Sequence, residues 1–267
     1  MIDEEPMKVR TNRYQTQQIE IDLSFCRTAF YGALAMGLRP PGREMRRALR
    51  SRMGNAALAD AASSVDAAAG TELLERVRRL RQVGEEEPDR LEQSYFRLFG
   101  HTARGEVPPY ETEWGEDELF QKMHELADVG GFVRAFGLQS DELAHERIDH
   151  VACECELMMF LARKEGHALE HGDVEMLQTT RLAERAFLTD HLARFGIAFA
   201  RRLAAADPDG FHGALGAVLE EVLRADCTRL DVVVGPAHLK LRDPAPDDTP
   251  MACGDCPLAG RSEEQRD

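Results

Sequence analysis

Between Glu142 and Met159 the chain carries a dense run of ionisable side chains: Glu142, His145, Glu146, Asp149, His150, Glu154 and Glu156, with Cys153 and Cys155 among them. Side chains three or four residues apart share one face of a helix. On a helix, Glu146 and His150 therefore meet, as do His150 and Glu154, with Asp149 beside them. Such a group can hold a proton, a metal or an arginine, or can simply be a solvated face. Glu142 with His145 matches one Glu-x-x-His motif of a di-iron bundle, but that centre needs a second such motif and further glutamates from facing helices, and the sequence offers no second. Cys153 and Cys155, two apart, point in different directions on a helix and do not chelate one ion together. Cys253-Gly-Asp-Cys256 is a C-x-x-C bracketed by Pro250 and Pro257. It supplies half of the usual four zinc ligands or a redox pair, or its cysteines are incidental.

The sequence has no phosphate-binding P-loop, no G-x-G-x-x-G after a strand and no G-x-S-x-G elbow, so nucleotide enzymes and hydrolases find no support. The formal net charge of -15 argues against broad contact with nucleic acid or an anionic membrane, both polyanions. The same charge either attracts an arginine-bearing peptide or only keeps the protein soluble. The N-terminus lacks the basic and apolar regions of a secretory signal, and no stretch approaches the ~20 apolar residues of a spanning helix. A cytoplasmic protein is expected, and its six cysteines read as thiols or ligands rather than a disulfide frame.

The elements that must position these groups are helical. Ala, Leu, Glu and Arg dominate and β-branched residues are sparse, a composition that favours helix. Ile19, Leu23, Phe30 and Leu34 predict a helix from about Tyr14 to Met36, stopped by Gly37 and Pro40-Pro41. A basic helix with Met45, Leu49 and Met53 follows; residues 54–70 fit a short helix or a loop. Thr71 is the expected cap of a helix carrying Leu73, Val77 and Leu80. Pro88 suits the first turn of the next helix. Residues 100–115, with Gly105, Pro108, Pro109, Gly115 and the sole tryptophan, Trp114, form a loop long enough to be either functional or disordered. Gly130-Gly131 is an expected kink. The most regular helix is predicted from Asp141 to Leu169, ended by Gly172, with Met158 and Met159 in the core. Further helices run from Asp173 to Ala206, with Thr189 a cap between them, and from Pro208 to Ala225. Val232–Val234 is at most an isolated strand, and from Pro236 the composition is that of a partly disordered tail. The expectation is an all-α protein: a single bundle of about nine to eleven helices at 14–235, an N-terminal extension at 1–13, and a Pro/Asp-rich tail at 236–267.

Several segments together resemble one family. Tyr95-Phe-Arg-Leu-Phe-Gly100 is followed by Pro109-Tyr110-Glu111-Thr112-Glu113-Trp114. Then come Phe132-Val-Arg-Ala-Phe-Gly-Leu138, Asp149-His150-Val151 with Glu154-x-Glu156-Leu-Met158, and Phe187-Leu-Thr-Asp-His191-Leu192. This order, over roughly residues 14–224, is similar to the TorD/DmsD/NarJ family of redox-enzyme maturation chaperones. The Pro-Tyr-Glu-Thr-Glu-Trp segment is nearest to chaperones of the type II dimethyl-sulfoxide-reductase enzymes. The resemblance implies an all-helical protein that is not an enzyme and needs no cofactor. Its implied partner is the catalytic molybdenum subunit of a dimethyl-sulfoxide-reductase-family enzyme, recognised through its N-terminal twin-arginine signal and held until the molybdenum cofactor is inserted. From charge and hydropathy no nucleic acid and no stable membrane insertion are expected, and monomer and homodimer stay open. The resemblance also implies a peptide site at Asp149 and His150, with Tyr95, Pro109, Tyr110, Glu111 and Trp114 in the neighbouring groove. Glu154 joins them on chemistry, because carboxylates bind guanidinium in bidentate fashion and aromatic rings stack on it. Two other readings are a metal-dependent helical enzyme using Glu142, His145, Glu146 and His150, and a thiol- or zinc-linked regulator acting through Cys253 and Cys256.

Overall fold

The computed structural model describes residues 5–84, 88–100, 104–116, 121–138 and 147–243. Among these, ten α-helices carry the fold: α1 Glu5–Gly37, α2 Arg43–Leu49, α3 Arg52–Ala69, α4 Leu73–Val83, α5 Pro88–Phe99, α6 Gln121–Ala135, α7 Val151–His171, α8 Val174–Phe187, α9 Ala193–Ala206 and α10 Phe211–Leu230. The described residues contain no strand, only isolated bridges, and Val232–Val234 is irregular chain. The fold is all-α, as the composition predicts.

The central pair is α1 against α7; α9 packs on α10, and α3, α4 and α8 fill in around them. Close approach of the central pair depends on small residues. A Cβ on Gly32 would lie 3.0 Å from the Met159 sulfur, and one on Gly166 would lie 3.3 Å from the Phe25 ring. Met158 is fully buried and Met159 packs at the edge of the core, which matches the core reading of both.

A buried charge cluster ties four helices together. Arg27 of α1 donates to Glu165 of α7 at 2.6 Å, to Glu184 of α8 at 2.8 Å and to both oxygens of Asp226 of α10 at 2.7 and 2.9 Å. The Tyr31 hydroxyl donates to Asp226 at 2.8 Å. A guanidinium fits this task because its five donors fan out in a plane toward several carboxylates at once. Burial, opposed by Arg27, raises Glu184 to about 7. Glu165, also served by Arg181 and Arg229, is held down at about 2 despite its burial.

Local chemistry moves several boundaries from their sequence positions. Helix α1 starts at Glu5, not near Tyr14. Residues 52–69 form a full helix, capped by Ser51, whose hydroxyl accepts from Gly54 N–H. Thr71 does not cap α4: the Asp66 carboxylate, at the end of α3, accepts from Leu73 and Leu74 N–H at 2.8 and 2.9 Å and from the Thr71 hydroxyl. Helix α6 runs through Gly130-Gly131 without a break. Thr189 caps nothing; its hydroxyl donates to the Arg185 carbonyl, and α8 passes into α9 through a single π turn at Leu188–Leu192. Helix α10 continues to Leu230, where Asp231 closes it in a left-handed conformation, φ 53°.

The chain beyond Pro236 returns to the body. Gly115 N–H donates to the Lys240 carbonyl, and Arg242 N–H to the Glu113 carbonyl, both at 2.9 Å. The Arg242 side chain is buried, bonding the Thr112 and Glu116 carbonyls and both oxygens of Glu125. The packed chain thus reaches at least Asp243.

Candidate functional site

The expected long helix through Asp149 and His150 does not exist in that form. Helix α7 begins at Val151, residues 147–150 are turn, and Asp149 and His150 stand just before its first residue. His150 is the N-cap: its Nδ1 accepts from Ala152 N–H at 3.0 Å, in place of the usual Ser, Thr, Asp or Asn. The lone pair needed for this bond exists only on an unprotonated ring nitrogen. Burial, with the charges of Arg39 and Arg147, lowers this imidazole to about 3, so it remains neutral at physiological pH.

The loop holding the aromatic motif lies alongside. Val151 N–H donates to Pro109 O at 2.8 Å and Glu111 N–H to Asp149 O at 2.9 Å, flanking the bridge between Tyr110 and His150. Trp114 Nε1–H donates to Pro108 O at 3.0 Å, and its ring packs edge-on to Phe199. Asp149 is wholly buried and accepts from the Thr112 backbone at 3.3 Å and hydroxyl at 2.8 Å and, bidentately, from Arg147 at 3.0 and 2.7 Å. The same guanidinium sits 4.4 Å from the Tyr110 ring centroid. Asp149 and Tyr110 thus hold a guanidinium between carboxylate and ring, and that guanidinium belongs to this chain.

Of the site residues expected from the sequence, Asp149, His150, Pro109, Glu111, Trp114 and Glu154 come together, but they are buried, and Tyr110 is half-buried. Tyr95 joins a different aromatic cluster, with Phe99 at 4.8 Å and His212 at 5.9 Å. Glu154 and His150 do not form an i,i+4 pair on an exposed helix face. Both oxygens of Glu154 lack a hydrogen-bond partner among the described residues. Burial, with the charges of Glu111 and Asp149, pushes its carboxyl well above the usual range. Glu142, His145, Glu146, Cys253 and Cys256 lie outside the described residues. Cys155 is buried in the core, where desolvation pushes its thiol well up, and Cys153 is half-buried.

From Glu111 a polar relay leads outward. His191 Nδ1–H donates to Glu111 at 3.0 Å, and its Nε2 lies 3.3 Å from Asp128. Burial alone lowers an imidazole, but the bond to Glu111 and the charges of Glu111 and Asp128 outweigh it and raise His191. Arg194 bridges Glu111 at 2.6 Å and Glu125 at 2.7 Å, and Arg242 closes the other side of Glu125. These residues line an open cavity of about 590 Å³ between α6 and the π turn, walled by His124, Glu125, Ala127, Asp128, Asp190, His191 and Arg194. The π turn matters because its extra residue carries Asp190 and His191 round into the cavity; such turns recur at functional sites. Glu111 is bonded by His191 and Arg194, and Glu125 pairs with Arg194 and Arg242. Asp128 and Asp190 are exposed, and Asp190 makes no ion pair among the described residues. The cavity can therefore accept a cation from outside. Sequence reasoning missed Asp128, Arg194, Glu125 and Arg242, which no local motif marks; the Phe187–Leu192 match pointed to His191 without its role.

The described residues form an all-helical body with an acidic cavity at its surface. Residues 56–201 match the family described as nitrate reductase delta subunit. The match covers more than half of the chain, and the chain belongs to that family, which comprises non-catalytic chaperones of molybdoenzyme maturation. The chain is therefore a chaperone and not an enzyme, and its partner is a molybdoenzyme catalytic subunit. No curated protein matches the chain. No described helix is long and apolar enough to cross a membrane.

Proposed function

We propose that this chaperone works in the cytoplasm. It binds the N-terminal twin-arginine signal region of a molybdopterin-containing oxidoreductase of the dimethyl-sulfoxide-reductase family, nearest to the type II enzymes, and assists cofactor insertion and assembly before export. The observation that carries this reading is the cavity bounded by Asp128 and Asp190, open to solvent and joined through His191 to the buried Glu111. A signal guanidinium enters this cavity and pairs with the two exposed carboxylates, a charge-assisted and geometrically selective contact. Met123, 70% exposed and next to His124 in sequence, offers an adaptable apolar surface for residues flanking the arginines.

In this reading Asp149, His150, Pro109, Tyr110, Trp114 and Glu154 build and charge the site rather than touch the peptide. They hold the loop 104–116 against the start of α7, and the loop presents Glu111 to His191. Tyr95 lies apart from that loop's site residues, in the aromatic cluster with Phe99 and His212. The domain limits are proposed as a helical body with a distinct C-terminal tail, the body reaching at least Asp243. The test is calorimetric titration with the N-terminal peptide of a molybdoenzyme subunit encoded beside the gene. The proposal requires binding that weakens in the Asp128→Asn/Asp190→Asn double variant. Equal affinity in the double variant places the arginines elsewhere.

A further inference from the structure

The last two turns of α7 carry His167, Glu170 and His171, all exposed, with one donor atom from each within 4.8 Å of the others. His167 and His171 are four residues apart and Glu170 is three from His167, so the three project from one helix face. The two imidazoles lie together, ring centroids 4.0 Å apart and tilted 38°. His171 Nδ1 is 2.9 Å from the His167 carbonyl oxygen. A carbonyl only accepts, so Nδ1 of His171 carries the proton and Nε2 is left as the ring's lone-pair atom. That arrangement, one ring nitrogen donating to a backbone carbonyl and the other available, is how proteins orient metal-ligating histidines. The site also occupies a helix C-terminus, where the unsatisfied carbonyls give partial negative charge that favours a cation.

We infer that His167, Glu170 and His171 bind one divalent transition-metal ion. Two imidazoles and a carboxylate are a donor set for Zn²⁺, Ni²⁺, Co²⁺ or Cu²⁺ rather than for Mg²⁺ or Ca²⁺, which prefer all-oxygen shells. Bonds of about 2 Å draw the donors closer than their present spacing, and rotation of exposed side chains closes the difference without moving the helix. Three protein ligands leave a fourth position for water or for a partner's side chain. The inference is independent of the peptide-binding reading, because it rests on other residues.

The test is titration of the chelator-stripped full-length chain with Co²⁺, followed by calorimetry and visible absorption, in wild type and in His167→Ala, His171→Ala and Glu170→Gln. Cobalt distinguishes this site from the thiols, because thiolate ligation adds an intense near-ultraviolet charge-transfer band and imidazole–carboxylate ligation does not. The inference expects one equivalent bound without that band. Each histidine variant should weaken binding by about tenfold or more, on the scale of metal-site losses, and Glu170→Gln by less. Affinity should rise from Co²⁺ through Ni²⁺ to Cu²⁺. All three side chains are exposed, so the variants keep the fold, which circular dichroism verifies. Binding that is absent, that is unchanged in His167→Ala/His171→Ala, or that shows only the thiolate band overturns the inference.

Discussion

The guanidinium of Arg147 is bound in bidentate fashion by the buried carboxylate of Asp149, at 3.0 and 2.7 Å, while lying over the Tyr110 ring. A carboxylate and an aromatic ring holding a guanidinium is the chemistry that the sequence suggests for a client's arginine, here satisfied within the chain. If client arginines dock at Asp128 and Asp190, Arg147→Ala leaves peptide affinity nearly unchanged. Clearly tighter binding by that variant would mean that Arg147 competes with the peptide for Asp149.

Asp149→Ala has a different expected outcome. It strips the buried Thr112 N–H and hydroxyl of their acceptor, and a buried unsatisfied group costs about 1–3 kcal/mol. Denaturant unfolding should show that loss, with a change in Trp114 fluorescence as the loop loosens. An unchanged midpoint would contradict the structural role.

Arg27→Ala leaves Glu184 and Asp226 buried without their cation, since Arg181 and Arg229 reach Glu165 instead. Breaking a buried ion cluster on one side costs about 3–5 kcal/mol. The midpoint of urea unfolding should fall accordingly, with helical content retained at zero denaturant.

His212 supplies a pH test. Burial lowers it to about 4, while the unfolded imidazole titrates near its ordinary value. Between those values the unfolded chain binds a proton that the folded chain does not, so stability from this residue is present above pH ~6.5 and is lost as pH falls toward 4. Relative to His212→Gln, wild type should lose about 2 kcal/mol between pH 7 and pH 5. The comparison with the variant is needed because Glu184, raised to about 7, has the opposite slope in the same interval. A difference independent of pH would contradict the neutral, buried state of His212.

The chain between Pro236 and Asp243 is held by Arg242 at Glu125, Thr112 and Glu116. Ending the protein after Asp243 should therefore leave thermal stability intact, whereas ending it after Gly235 should lower it and expose Trp114. Equal stability of the two would show that this segment contributes nothing.

The helical periodicity of α4, α5 and α10 was legible because each buries one stripe of leucine, valine or phenylalanine against the body. The family was legible because its motifs are local strings. Helix starts were less so: Asp66 caps α4 from another helix, and the capping His150 looks like a functional histidine when read along the chain. The burial of Asp149, Glu111 and Glu154 was illegible for a similar reason. Carboxylates usually lie at the surface; Thr112 and Arg147 hold Asp149 inside, His191 and Arg194 hold Glu111, several of them distant in sequence, and Glu154 has no partner among the described residues. The Arg27 cluster spans α1, α7, α8 and α10, and no spacing rule within one helix reveals it. The cavity at Asp128 and Asp190 depends on the π turn, which shifts the register of His191 by one residue and leaves no compositional mark.

The most direct measurement is calorimetric titration of the whole protein with two versions of the molybdoenzyme subunit's N-terminal peptide, one carrying its arginine pair and one with both arginines replaced by alanine. The account predicts binding at micromolar affinity or tighter for the first, weakened at least about tenfold, or ~1.4 kcal/mol, for the second, with the difference abolished in Asp128→Asn/Asp190→Asn. Equal binding of the two peptides, or no binding by the folded protein, would contradict it.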